Sequence, residues 1–94
     1  MPYVRISLVT PKEGMRDAVL RIEQQLIDHF RKQPGFQEAY RLTSSDKVGR
    51  VSVWDSQPSA DLVSISQHVL ALRSQMLPLI NDAIESGMEG ERIT

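Results

Sequence analysis

The spacing of apolar residues switches between two and roughly 3.6 along this chain, and the order of those switches is what most restricts its fold. Residues 3–10, YVRISLVT, alternate: Val4, Ile6 and Leu8 share one face, and Tyr3, Arg5, Ser7 and Val9 the other. Such a period-two run, supported by β-branched residues and ended by Pro11, predicts a strand. Between Gly14 and Lys32 the period lengthens, and Met15, Ala18, Val19, Ile22, Leu26 and Phe30 fall on one helical stripe. Asp17 near its start and Arg31-Lys32 at its end suit the helix dipole, and Pro34-Gly35 stops it. Alternation returns in Phe36–Thr43 and again in Val48–Trp54, with the polar turn Ser44-Ser45-Asp46-Lys47 between them, a hairpin pattern.

A long helical pattern follows. Asp55 or Ser56 can cap it, and Pro58 sits where a first-turn proline is tolerated. Leu62, Ile65, Val69, Leu72, Met76 and Ile80 form a stripe, with Val63, Leu70, Leu77 and Ile84 as a shoulder. Pro78 must kink or end this helix, and Gly87 marks its finish. Met88 to Thr94 can supply a short edge strand. The resulting order, βαββαβ, predicts an α+β fold of ferredoxin-like type. It has a four-stranded antiparallel sheet with the helices on one face.

Ninety-four residues fit one domain spanning positions 1–94. A chain of this size buries only about 60–65% of the surface its unfolded form exposes. With 40% apolar residues and no cysteine, neither disulfides nor a thiolate metal site reinforces the core. Oligomerisation is the remaining common route to more burial, so a homodimer through the free sheet face is expected. Eleven basic and twelve acidic residues are interspersed, which leaves little for a nucleic-acid-binding face. No stretch approaches the ~20 apolar residues of a membrane span. MPYVRISLVT is too short an apolar run for a signal peptide, so a cytoplasmic protein is expected.

Few side chains offer chemistry. His68 titrates near neutrality but lies roughly 90° from the stripe centre, where a bland flanking role competes with catalysis. His29, at a helix end, more simply supports the C-terminal carbonyls. Arg73 falls roughly 50° from the stripe and must snorkel out, pair with a carboxylate or meet an anionic ligand. A lone Trp at a strand end, Trp54, is packing by default. Arg5, Ser7, Arg41, Arg50 and Ser52 make one sheet face polar, and periodicity leaves open whether they line a wet cleft or bond across a dimer. No histidine–carboxylate metal pattern and no phosphate-binding glycine loop is present. The stacking aromatics of RNA-recognition domains are missing from the central strands.

Several short segments occur in the order seen in one family. They are Thr10-Pro11-Lys12-Glu13-Gly14 leading into a helix, Gln33-Pro34-Gly35-Phe36, and Val53-Trp54-Asp55-Ser56. His68, fourteen residues after Trp54, completes the set, while Val63 and Gln67 depart from the pattern's first histidine and its proline. The chain resembles the antibiotic biosynthesis monooxygenase family of the dimeric α+β barrel superfamily. That resemblance implies a homodimer joined through the sheet. It also implies oxygenation of a small phenol or quinol with no cofactor and no metal. By the same resemblance His68 and Arg73 are the candidate catalytic residues, and Trp54, Tyr40 and Ser7 the candidate substrate-binding ones. The haem-degrading branch of the fold is disfavoured, because Ser7 replaces its first-strand Asn and no second Trp exists. The alternative is a non-catalytic dimeric domain that binds a small ligand or a partner.

Overall fold

A computed structural model describes residues 1–94. In chain order it holds β1 (Tyr3–Pro11), α1 (Arg16–Phe30), β2 (Phe36–Thr43), β3 (Val48–Trp54), α2 (Gln57–Ser64), α3 (Gln67–Met76), a 3-10 turn (Leu77–Leu79) and β4 (Ile80–Glu89). The four strands form one antiparallel sheet in the order β2-β3-β1-β4, the ferredoxin-like arrangement expected from the periodicity. The first half follows the sequence closely. Gly35 stops the chain after α1 with a φ of 86°, a backbone region that other residues enter only under strain. The β2–β3 turn closes with a hydrogen bond from the Ser44 N–H to the Lys47 carbonyl at 2.9 Å.

The expected long second helix is corrected in two ways. It is broken at Ile65-Ser66, where Ser66 turns extended (φ −65°, ψ 149°) and its hydroxyl caps the Val69 N–H of a new helix. That break resets the helical phase, so α2 buries Ala60 and Val63 while Leu62 and Ile65, assigned to the buried stripe, are 69% and 67% exposed. Pro78 then ends the helical region outright: Leu77–Leu79 is one 3-10 turn, and Ile80 is already extended. The residues from Ile80 to Gly87, read as helix, are strand β4, which fills the open edge of β1 and starts eight residues before the edge segment expected at Met88. Ile84, grouped with Val63, Leu70 and Leu77 on the helical shoulder, is a strand residue. No helix is long and apolar enough to cross a membrane.

Which sheet face meets the helices is the decision that periodicity left open. Tyr3, Ser7 and Val9 of β1 and Val48, Arg50, Ser52 and Trp54 of β3 turn inward and are buried. Val19, Ile22, Leu26 and Phe30 of α1, with Val69, Leu72 and Met76 of α3, cover them. The more polar face is therefore the covered one. Val4, Ile6, Leu8, Val51 and Val53, the apolar set, face outward without a helix above them.

Candidate active site

Polar residues under a helical layer need partners or water, and this requirement shapes the interior. Glu23 sits on the buried stripe of α1, four residues from Val19 and three from Leu26, and is fully buried. Its two carboxylate oxygens accept hydrogen bonds from Nη1 of Arg50 at 2.9 and 3.0 Å. The Arg50 guanidinium also lies over the Phe30 ring, 5.3 Å from its centroid. Removing one member of such a buried pair typically costs about 3–5 kcal/mol, because the other is left as an uncompensated charge.

Antiparallel register places Ser7 between Arg50 on β3 and Glu85 on β4. Arg73 reaches down from α3 and donates from Nη2 to Glu85 Oε2 at 2.9 Å. Ser7, Arg50, Arg73 and Glu85 are shared by two adjoining cavities between the sheet and the α2–α3 layer, with volumes of about 20 and about 60 Å³. The smaller is walled by Arg5, Ser52, Trp54 and Phe30, and the larger by the apolar side chains of Leu26, Met76, Leu77 and Ile80. Voids of these sizes hold one to a few water molecules. Trp54 is 1% exposed; its indole N–H donates to Ser52 Oγ at 2.9 Å, and Phe30 and Phe36 meet its ring edge-on at 5.6 Å each.

Of the five side chains singled out from sequence, Ser7, Trp54 and Arg73 line this cleft together. Tyr40 does not: it lies on the outer sheet face, 56% exposed, with its hydroxyl donating to the Glu38 carboxylate at 3.2 Å. His68 lines neither cavity. It is exposed and stacks on His29, with ring centroids 4.1 Å apart and planes inclined by 21°. His29 thus braces α1 against α3 through its ring. Partial burial, then the neighbouring His68 and Lys32, lower its pKa below the usual 6.5.

Two cleft residues, Arg50 and Glu85, and Glu23 behind them carry no functional mark in the sequence reading. In the alternation Arg50 is one of five residues on a polar face, and Glu85 falls in the stretch whose spacing reads as helix but which forms β4. Glu23 carried a visible signal, a carboxylate at helical spacing inside an apolar stripe, which demands a buried cation opposite. No three His, Asp or Glu side chains gather closely enough to hold a metal ion.

No protein-family model matches the sequence, and no curated protein matches it. Solved structures, by contrast, share the fold along nearly the whole chain. Rv0793 from Mycobacterium tuberculosis matches with a TM-score of 0.89 at 18% identity, covering 99% of this chain and 98% of its own. A structure described as an antibiotic biosynthesis monooxygenase matches at 0.83 and 17% identity, over 98% of this chain and 100% of its own. SnoaB, a cofactor-independent oxygenase from Streptomyces nogalater, matches at 0.85 and 13% identity, over 98% and 95%. The fold is that of antibiotic biosynthesis monooxygenase-like structures, as the motifs led us to expect. At these identities the likeness is one of fold.

Proposed function

We propose that this chain is a cofactor-independent oxygenase acting on a small phenol or quinol in the cleft beneath α3. The observation that carries this reading is the Arg73–Glu85 pair, held at 2.9 Å over a cleft lined by Ser7, Ser52 and Trp54. The fold shared with SnoaB supports it. In this reading Glu85 accepts a phenolic proton and Arg73 holds the developing oxyanion. The electron-rich ring then passes electrons to dioxygen, and one oxygen atom joins the ring carbon. A hydroquinone plus O2 becomes a hydroxyquinone plus water, with the four electrons supplied by the quinol and one ring C–H bond.

Cavities of about 20 and 60 Å³ admit no aromatic ring as they stand, so Arg73 and Glu85 must part to let substrate in. Their side chains are 40% and 33% exposed, and an ion pair so placed is worth less than about 1 kcal/mol, a low barrier to opening. In this assignment His68 has no chemical step; its ring braces α3. Oxygen uptake with a panel of quinols is the direct measurement. Arg73→Ala and Glu85→Gln are each expected to lower turnover by about a hundredfold. Turnover equal to the parent in both variants would remove the assignment.

Cavities too small to enclose a ring together with dioxygen support one second reading, a non-catalytic domain of the same fold that binds a small ligand or a partner. Saturable quinol binding with no oxygen consumption would select it. In either case we propose a homodimer through the outer sheet face, supported by Val4, Ile6, Leu8, Val51 and Val53 lying there with no helix above them.

A further inference from the structure

Arg50 is a cleft residue whose hydrogen-bonding capacity the protein leaves unfilled. It is 8% exposed, yet only Nη1 is engaged, and both Glu23 oxygens take that one nitrogen. A guanidinium has five N–H donors, so those on Nε and Nη2 remain. No protein acceptor takes them, and no fully buried side-chain nitrogen or oxygen in the molecule lacks a partner. Those two nitrogens therefore keep access to the cleft, where Arg50 borders both cavities. Ser7, 8% exposed and paired with Arg50 across the β1–β3 ladder, borders the same two cavities with a hydroxyl that no protein group engages. Beyond them the larger cavity is apolar, walled by Leu26, Met76, Leu77 and Ile80.

We infer that Arg50 and Ser7 form a binding subsite for the oxyanion of an amphipathic ligand, a carboxylate or phenolate whose apolar body lies against Leu26, Met76 and Ile80. Glu23 fixes the guanidinium in place from behind, so Arg50 itself needs no ordering on binding, while Arg73 and Glu85 part to admit the apolar body. A planar guanidinium with donors free on two nitrogens matches the two oxygens of a carboxylate better than a single neutral acceptor. The subsite takes its location from the proposed oxygenase cleft, but it concerns affinity and ligand charge rather than turnover.

The test is an equilibrium titration of the intact protein, followed by emission of its single tryptophan, Trp54, which borders the smaller cavity, and by calorimetry. The probes are benzoate, benzamide and inorganic phosphate. Benzoate is expected to bind about tenfold or more tightly than the near-isosteric neutral benzamide, the difference a charge-assisted hydrogen-bond pair makes. Phosphate, an anion with no apolar body, is expected to bind more weakly than benzoate. Arg50→Lys, which keeps the charge opposite Glu23 but not the planar fork, and Ser7→Ala should each weaken benzoate more than benzamide. Equal affinity for benzoate and benzamide, equal affinity for benzoate and phosphate, or no benzoate binding overturns the subsite. If Arg50→Lys does not fold, the comparison of probes on the parent chain still decides. An anion-selective cleft without oxygen uptake rejects the oxygenase alone, and quinol turnover without anion preference rejects the subsite alone.

Discussion

His29 and His68 touch face to face across the α1–α3 junction, and their proximity has a measurable consequence. Partial burial is the largest cause of the lowered His29 pKa, followed by His68 and Lys32. The unfolded chain, whose His29 titrates near 6.5, therefore binds more protons than the folded one below that pH. Stability linked to this residue is fully present above the unfolded value and falls as pH drops through it towards the lower folded value. Urea unfolding at about pH 8 and about pH 5 should show a loss at the lower pH that is smaller in His29→Gln. An equal loss in the variant would show that other groups govern the acid limb. Ser7 and Trp54 enter as candidates through the family resemblance, and Arg73 also because an arginine beside an apolar stripe needs an outlet; the structure places all three along one cleft. Residue-scale reading of the sequence misses the importance of Arg50, whose role depends on Glu23 lying 27 residues earlier in the chain and on the packing of α1 over β3.

Elements follow local sequence wherever their own period is clean. β1, α1 and the β2–β3 hairpin have such a period. The segment after Met76 does not: INDAIESGME mixes charged, small and isolated apolar residues, and becomes β4 because β1 offers an unpaired edge and Pro78 forbids the helix from continuing. β3 depends on a different local requirement. A Cβ added at Gly49 would lie 2.0 Å from the Ser7 carbonyl oxygen and 3.0 Å from the Leu8 Cα, both backbone atoms of β1. Neither can retreat without shifting the strand that carries Ser7. Gly49→Ala should therefore destabilise the protein by about 2 kcal/mol or more, read as a lower urea midpoint. A loss below about 0.5 kcal/mol, ordinary for a surface change, would mean that β1 and β3 separate freely here.

At the scale of the molecule, the two sheet faces divide the labour. The inner face holds the buried Arg50 and, with side chains 28% and 33% exposed, Arg5 and Glu85. The outer face presents Val4, Ile6, Leu8, Val51 and Val53, with Ile84 and Met88 of β4 more than half exposed. A continuous apolar sheet face of this kind attracts a cover, and a second copy of the same face is the symmetric solution. Light scattering should give twice the 10.6 kDa chain mass at micromolar concentration, and Ile6→Glu should return the protein to one chain mass, since a carboxylate buried in that face without a cation is costly. A monomeric parent would leave the barrel assembly without support.

The sequence by itself determined the elements whose hydrophobic period is local: β1, α1 and the β2–β3 hairpin; at Pro78 it left a kink and an end equally open. From their order followed the antiparallel ferredoxin-like sheet, and from the short motifs the likeness to antibiotic biosynthesis monooxygenase-like structures. Tertiary structure alone decided which face of the sheet is covered, where the second helix breaks, and that Ile80–Glu89 is a strand. The physical reason is the same in each case. Alternation distinguishes two faces without saying which one lies inside, and an edge strand owes its existence to its neighbour's unpaired backbone. A buried carboxylate such as Glu23 has meaning only once its cation, Arg50, is brought beside it.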